Sequence, residues 1–65
     1  MFHRSAAYEV KKLLNLRVRN GKEEVLVKWL GFEDEDSTWE LCESIENDLP
    51  VLVEKLRQRL RNQQD

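Results

Sequence analysis

Three aromatic side chains, Tyr8, Trp29 and Phe32, have the clearest capacity for chemistry in this sequence, and an acidic run follows them. Converging aromatic rings attract a quaternary ammonium group, because the ring faces are electronegative and the methyl groups of the ligand are easily desolvated. The acidic residues would attract a basic segment of a partner. They are Glu33, Asp34, Glu35 and Asp36. The alternative is that the rings belong to the core and the acidic run is a solvated loop.

Residue types that catalysis or metal binding requires are scarce. The sequence has one histidine, His3, and one cysteine, Cys42, and it offers no Ser-His-Asp or paired-carboxylate arrangement. Neither residue has companions at metal-ligand spacing. We therefore predict no enzymatic activity, no cofactor and no metal. A single cysteine cannot form an internal disulfide, which favours a reducing intracellular environment.

Length and charge limit the remaining classes of function. The 65 residues are enough for one domain, and a net charge of −2 with 37% charged residues does not indicate a surface for duplex DNA. No apolar run approaches the roughly 18 residues of a membrane span, so we expect a soluble protein without membrane contact. A weak contact with nucleic acid stays open as an alternative, because four basic residues lie near the C-terminus. Their spacing distributes them around a helix and not along one face. These are Lys55, Arg57, Arg59 and Arg61.

The alternation of residues predicts three antiparallel strands. Apolar residues occupy most even positions from Tyr8 to Val18, which predicts the first strand, and Asn20-Gly21 predicts a type I′ hairpin turn. The second strand is predicted over Lys22–Leu30 and a short third strand over Thr38–Leu41. Residue numbers that sum to about 41 then lie opposite each other, which places Tyr8 near Phe32 and within reach of Trp29. We expect Trp39 to be buried.

A closing helix is predicted from the spacing of Leu49, Val53, Leu56 and Leu60. Asp48 is the expected N-cap, Pro50 suits the first turn, and the helix is expected to end near Arg61. The segment Cys42–Asp48 shows no clear period. Because a three-stranded sheet needs a cover for its apolar face, the fold class is α+β, a curved three-stranded antiparallel β-sheet packed against a C-terminal α-helix. Residues 1–7 are expected to be a flexible segment, 8–61 the domain and 62–65 a flexible tail.

Four motifs together resemble a chromodomain of the heterochromatin-protein type. They are Tyr8-Glu9-Val10, Asn20-Gly21, Lys28-Trp29-Leu30-Gly31-Phe32 and Asp36-Ser37-Thr38-Trp39-Glu40. The resemblance covers about Tyr8 to Leu60 and implies an SH3-like partial barrel. It also implies a non-enzymatic, nuclear, chromatin-associated module of heterochromatin and transcription regulation, monomeric as an isolated domain. Such a module reads a di- or trimethylated lysine in an Ala-Arg-Lys-Ser context of the histone three tail.

The resemblance also implies roles for individual residues. Tyr8, Trp29 and Phe32 form the methyl-lysine cage, and Asp36 closes it. The tail is added as an extra strand between about Ser5–Val10 and Glu43–Asn47. Val10, Trp29 and Ile45 lie near a pocket for the alanine, whereas Glu40 and Ser44 hydrogen-bond the tail. The implied groove positions are Ala7, Glu9, Val10, Glu40, Ser44, Ile45, Glu46 and Asn47.

The sequence departs from the family pattern mainly around the groove. Leu41 replaces a common proline, Ser44 replaces a common asparagine, and Asn47 stands where an apolar residue is frequent. The connection to the helix is about two residues longer than usual, and Ser5-Ala6-Ala7 replaces an acidic run. Two relatives of the same fold stay open as alternatives: the chromodomain of a retroelement integrase, which directs insertion to chromatin, and a self-associating chromoshadow-like domain. The three aromatic positions argue against the second.

Overall fold

The computed structural model describes residues 9–63, which form one antiparallel sheet followed by two helices. The strands follow the order β1-β2-β3 in the sheet. The elements are β1 (Val10–Arg19), β2 (Lys22–Trp29), a 3-10 helix (Asp34–Asp36), β3 (Thr38–Leu41), α1 (Cys42–Asp48) and α2 (Pro50–Asn62). The predicted fold class, a curved three-stranded sheet with a C-terminal helix, is confirmed.

The hairpin turn has the geometry that its sequence predicts. Asn20 and Gly21 adopt positive φ angles of 54° and 76°, as a two-residue type I′ turn requires. Next to the turn, Arg19 pairs with Lys22 and Leu16 with Val25, so the numbers of opposite residues sum to 41. The turn therefore sets the register that the sequence predicts, but only for the nearer half of the hairpin.

Two irregularities in β1 change the register farther from the turn. They lie between Val10 and Lys12 and between Leu13 and Asn15, and each places one extra residue in β1. Val10 is consequently opposite Trp29, a sum of 39, and the uniform register predicted from the sequence is wrong there. The bulges also explain why Lys12 interrupts the alternation, since a bulge changes which residues of the strand point inward.

The core lies between the sheet and the two helices. Val53 and Leu56 of α2 are buried, and Leu49 and Leu60 pack against the same cluster, so the predicted helical stripe is confirmed. On β1, Leu13 is buried and Val10 and Leu16 pack against the cluster, whereas Val18 is exposed. The buried cluster consists of Leu13, Val25, Val27, Trp29, Cys42, Ile45, Val53 and Leu56. Burial of this cluster is the main source of stability in so small a domain.

Helix α1 forms in the segment for which the sequence showed no clear period. Its buried residues, Cys42 and Ile45, are three positions apart, and Leu49 follows four positions later. This is helical spacing, but seven residues are too few for a recognisable repeat. The expectation that Asp48 caps the closing helix is wrong, because Asp48 is the last residue of α1 and Leu49 takes the N-cap position of α2. Pro50 begins α2, as predicted.

Trp39 lies on the outer face of the sheet, which contradicts its expected burial. It pairs with Leu26, whose strand neighbours on both sides face the core, so the indole points to the opposite face and is half-buried. The guanidinium carbon of Arg17 lies 4.1 Å from the centre of the Trp39 ring, and Arg17 Nε donates to Glu24 at 2.7 Å. A cation–π contact thus covers the indole in place of core packing.

Two arginines of α2 connect the helix to the hairpin. Arg57 donates two hydrogen bonds to the Glu23 carboxylate, at 3.1 and 2.8 Å. Arg59 donates to the carbonyl oxygens of Leu13 and Leu14, at 3.0 and 3.2 Å, beside the second bulge of β1. The hydrogen bond from Arg57 lowers the pKa of Glu23 from its ordinary value and raises the pKa of Arg57. Both contacts therefore join side chains of α2 to the hairpin.

The lowered pKa of Glu23 predicts a specific pH dependence of stability. A carboxylate whose pKa is depressed on folding stabilises the protein above its unfolded pKa, and this contribution disappears as the pH falls through the folded pKa. Glu23→Gln should therefore be less stable than the wild type at pH 7 and should lose less stability between about pH 5 and about pH 2. Urea denaturation at several pH values measures both effects. Glu43→Gln, on an exposed position of α1, is the control, and parallel pH profiles for Glu23→Gln and the wild type would contradict the prediction.

The shifted register of β1 predicts an unequal pair of leucine substitutions. Leu13 is buried, so Leu13→Ala should lower the free energy of unfolding by about 2–5 kcal/mol through lost burial and cavity formation. Leu14 is half-buried and outside the core cluster, so Leu14→Ala should cost clearly less. Chemical denaturation of the two variants compares them directly. A larger cost for Leu14→Ala would show that the uninterrupted alternation, and not the bulged register, describes β1.

Candidate functional site

Trp29, the aromatic residue at the end of β2, is the centre of the candidate site and also part of the core. Its side chain is 1% exposed. The indole Nε1 donates to Thr38 Oγ1 at 2.9 Å, and the Thr38 hydroxyl donates to Glu40 Oε2 at 2.8 Å. Strand pairing places Thr38 opposite Val27 and Glu40 opposite Val25, on the core face of the sheet. These two hydrogen bonds therefore hold the indole in one orientation and place the Glu40 carboxylate on the same face of the sheet.

Phe32 follows Trp29 through a tight turn. The Phe32 N–H donates to the Trp29 carbonyl at 3.2 Å, and Gly31 adopts a φ of 86° between them. A positive φ at the third position of a turn is the pattern of a type II turn, in which glycine is favoured. Phe32 is 39% exposed, so the turn presents its ring at the surface beside the end of β2.

Asp36, the predicted closing carboxylate, lies at the end of the 3-10 helix that follows this turn. It is exposed, and its N–H donates to the Glu33 carbonyl at 3.0 Å. The Ser37 N–H donates to the Asp34 carbonyl at 3.0 Å. These bonds fold the acidic run into a compact loop that leads directly to β3. The loop thus places Phe32 and Asp36 at the same end of the sheet as Trp29.

The first predicted cage residue, Tyr8, and the groove residue Ala7 lie outside the described residues. The chain is described from Glu9, whose carbonyl accepts a hydrogen bond from the Leu30 N–H at 2.8 Å. Val10 then pairs with Trp29. The segment immediately after Tyr8 is therefore joined to the strand end that carries the other two predicted rings.

The remaining predicted groove residues divide between β3 and α1. Glu40 lies on β3, and Ser44, Glu46 and Asn47 are exposed on α1. Ile45 is 1% exposed and belongs to the core cluster with Trp29, against which Val10 also packs. The three residues that the family resemblance associates with an alanine pocket are thus brought together. Glu43–Asn47, however, is helical in this structure and not extended, as strand addition on that side implied.

Charge is distributed unevenly around this site. Nine acidic residues and no basic residue occur between positions 30 and 54: Glu33, Asp34, Glu35, Asp36, Glu40, Glu43, Glu46, Asp48 and Glu54. Eight of them lie on the loop, β3 and α1, where the candidate site lies, and Glu54 lies on α2. Of the four basic residues suggested for a nucleic-acid contact, Arg57 and Arg59 are engaged with Glu23 and with β1 carbonyls. The electrostatic character of the site favours a cationic partner.

Sequence reasoning missed one residue of this region, Lys28. It is 8% exposed, and its ammonium donates to the Phe32 carbonyl oxygen. The same nitrogen lies 3.4 Å from the Trp29 carbonyl oxygen and 3.9 Å from Asp34 Oδ1. Nothing in the spacing of the sequence indicates these contacts, because a lysine in a strand is ordinarily a solvated surface residue.

Two other classes of site find no support among residues 9–63. No group of three or more His, Cys, Asp or Glu side chains in this range is arranged to hold a metal ion. Neither helix of the same range has the length and apolar character needed to cross a membrane.

Comparison with known proteins agrees with the geometry. The family model of the Chromo (chromatin organisation modifier) domain matches residues 8–59. This chain belongs to the chromodomain family. It is 50% identical over 40 residues, 62% of the chain, to Chromo domain-containing protein rhino of Drosophila melanogaster. It is 35% identical over 54 residues, 83% of the chain, to Histone-lysine N-methyltransferase SUV39H1-A of Danio rerio.

Heterochromatin protein 1 of Drosophila melanogaster is 46% identical to the chain over 33 residues, 51% of the chain. The matches span 10%, 13% and 16% of the lengths of rhino, SUV39H1-A and Heterochromatin protein 1, respectively. The similarity to the methyltransferase therefore concerns its chromodomain. Chromodomains are chromatin-reading modules and generally non-enzymatic, which agrees with the scarcity of catalytic residue types in this sequence.

The relay from Trp29 to Glu40 predicts a cost for losing one hydroxyl group. Thr38→Val keeps the shape of the side chain but leaves Trp29 Nε1 without this acceptor, and it should lower the free energy of unfolding by about 1–3 kcal/mol. Thr38→Ser retains the hydroxyl and should preserve most of this contribution. Thermal or urea denaturation followed by tryptophan fluorescence compares the two variants. Equal stabilities of Thr38→Val and Thr38→Ser would show that the hydroxyl relay does not stabilise the fold.

Proposed function

We propose that this chromodomain binds a di- or trimethylated lysine in a flexible basic peptide, with the Ala-Arg-Lys-Ser segment of the histone three tail as the first candidate, and performs no chemistry on it. The observation that carries the proposal is the turn joining Trp29 to Phe32, with Asp36 in the loop that follows. Two aromatic residues and a carboxylate residue lie at the end of β2 that is bonded to Glu9, the first described residue. Rings and a carboxylate suit a methylated ammonium group, whose charge is diffuse and whose methyl groups are apolar.

The outer edge of β1, which pairs with no other strand among residues 9–63, supports addition of the peptide as a strand. Because Leu30 N–H bonds to the Glu9 carbonyl and Val10 is opposite Trp29, Val10 belongs to a non-hydrogen-bonded pair of the β1–β2 ladder. The N–H and C=O groups of Val10 are therefore directed away from β2, toward the open edge. A peptide strand that pairs with this edge would place its side chains alternately toward Trp29 and toward solvent.

The other side of the proposed groove is formed by side chains of α1 in place of a second strand. Glu43, Ser44, Glu46 and Asn47 are exposed on this helix and line a shallow depression. Two carboxylates and two hydrogen-bonding side chains suit an arginine-containing peptide. This arrangement assigns a role to the family departures at Ser44 and Asn47, both of which can hydrogen-bond a partner.

Ligand binding must open the site. Trp29 is 1% exposed, so a methylated ammonium reaches the face of its ring only when the residues that cover it move. Part of the interaction energy is used for this opening and for ordering the peptide, and we expect micromolar affinity, about −8 kcal/mol. Placement of the domain on chromatin in the nucleus forms part of the same proposal, and it rests on family membership.

The test is a titration with Ala-Arg-Lys-Ser peptides that differ only in methylation of the lysine, followed by tryptophan fluorescence and calorimetry. The wild type should prefer the trimethylated over the unmethylated peptide. Phe32→Ala should reduce affinity for the trimethylated peptide by about 3- to 30-fold, the loss of one cation–π contact, with little effect on the unmethylated peptide. Phe32→Tyr should retain the preference.

Val18→Ala is the matched control, because Val18 is an exposed apolar residue at the opposite end of the hairpin. It should bind both peptides like the wild type. Equal binding of the two peptides by the wild type would overturn the proposed function. A methyl preference that survives in Phe32→Ala would remove Phe32 from the cage.

A further inference from the structure

We propose that Lys28 is a positioning residue for the methyl-lysine site. From the outer side of the sheet, its ammonium group contacts the backbone carbonyls of both Trp29 and Phe32 and so positions these two residues. This inference rests on the proposed function. It assigns a role to a buried cation that neither the sequence pattern nor the core requires.

The burial of Lys28 is unusual for its residue type. The side chain is 8% exposed, although lysine is seldom buried unless its charge is paired. In the strand register Lys28 is directly opposite Lys12, and two like charges across a strand pair destabilise a sheet. Sheet stability alone therefore does not account for a lysine at this position.

The polar contacts of the Lys28 ammonium are all made with the segment from Trp29 to Asp34. An ammonium group has three N–H donors, and its neighbours here are the carbonyl oxygens of Phe32 and Trp29 and the carboxylate of Asp34. The two carbonyls belong to the two described residues that carry cage rings. The Trp29 carbonyl also accepts the N–H of Phe32, so Lys28 and the hydrogen bond that closes the turn share one acceptor.

The effect of Lys28 on the position of the loop can be distinguished from the effect of its charge on ligand affinity. On β2 it alternates with Val27 and Trp29, so its side chain starts on the outer face, whereas the Trp29 indole is on the core face. A cation near a site for a cationic ligand disfavours that ligand by electrostatic repulsion. Removal of the charge and removal of the positioning contacts therefore have opposite effects on affinity, which makes the inference testable.

The decisive variant is Lys28→Met, which keeps an unbranched side chain and removes the charge and the three donors. If Lys28 positions the rings, affinity for the trimethylated Ala-Arg-Lys-Ser peptide should fall about tenfold or more despite the loss of a like charge, and affinity for the unmethylated peptide should change little. Unchanged or increased affinity for the trimethylated peptide would overturn the inference. Val53→Ala, a destabilising substitution in α2 far along the chain from the loop, controls for stability and should leave the ratio of the two affinities unchanged.

Hydrogen exchange without ligand tests the same inference independently of peptide binding. In Lys28→Met the amides of Phe32 and Asp36 should exchange about tenfold faster or more, with the amide of Val25 in the centre of β2 as the internal reference. Unaltered protection of Phe32 and Asp36 would overturn the role of Lys28 even if the wild type reads methylation. Faster exchange in the variant, combined with a wild type that does not distinguish the peptides, would confirm the loop contact and place the failure in the proposed function.

Discussion

The fold depends on the two bulges of β1. They allow one ten-residue strand to pair with β2 in the hairpin and also to direct apolar side chains into the core. Each bulge adds one residue, increases the local twist and changes which side chains face α2. Leu13 becomes buried, and Val10 comes opposite Trp29. Arg59 of α2 then donates to the carbonyls of Leu13 and Leu14, so the helix is attached at the second irregularity. The bulges therefore increase the local twist of the sheet, and the second one also provides the point at which α2 is attached.

The candidate site shares its central residue with the core. Trp29 is almost completely buried, belongs to the main hydrophobic cluster and is hydrogen-bonded through Thr38 to Glu40. A ring fixed in this way is preorganised, which reduces the entropy lost when a ligand is bound. The same arrangement couples the proposed binding to stability, since substitutions at Trp29 would act on both. The exposed loop residues Phe32 and Asp36 separate these effects more cleanly and are the better positions at which to study recognition.

Electrostatics divides the described part of the protein into two regions. Acidic residues surround the loop, β3 and α1, whereas the basic residues concentrate on the hairpin and on the second half of α2. Several of the basic residues are used internally: Arg17 stacks on Trp39, Arg57 binds Glu23, and Arg59 contacts β1. Their charges serve to attach elements to one another. The acidic region is less engaged in this way and is the one suited to a basic peptide.

The sequence by itself determined the features that arise from local rules or from one helical face. Asn20-Gly21 specified its turn because both residues tolerate positive φ, and the spacing from Leu49 to Leu60 specified a covering helix because it forms one apolar stripe. The family motifs predicted Trp29, Phe32 and Asp36 as site positions, and these residues lie at one end of the sheet.

Only the tertiary structure decided features that depend on contacts between distant segments. The alternation shows an interruption at Lys12 but does not locate the bulges, because an added residue is recognised only by its missing partner on the neighbouring strand. Trp39 is outside the core because its pairing partner, Leu26, faces outward, and α1 forms because Cys42 and Ile45 find a core to enter. The polar contacts of Lys28, Arg57 and Arg59 depend on partners that spacing does not reveal. Periodicity reports which face of an element is apolar, whereas register and polar partners are properties of the assembled fold.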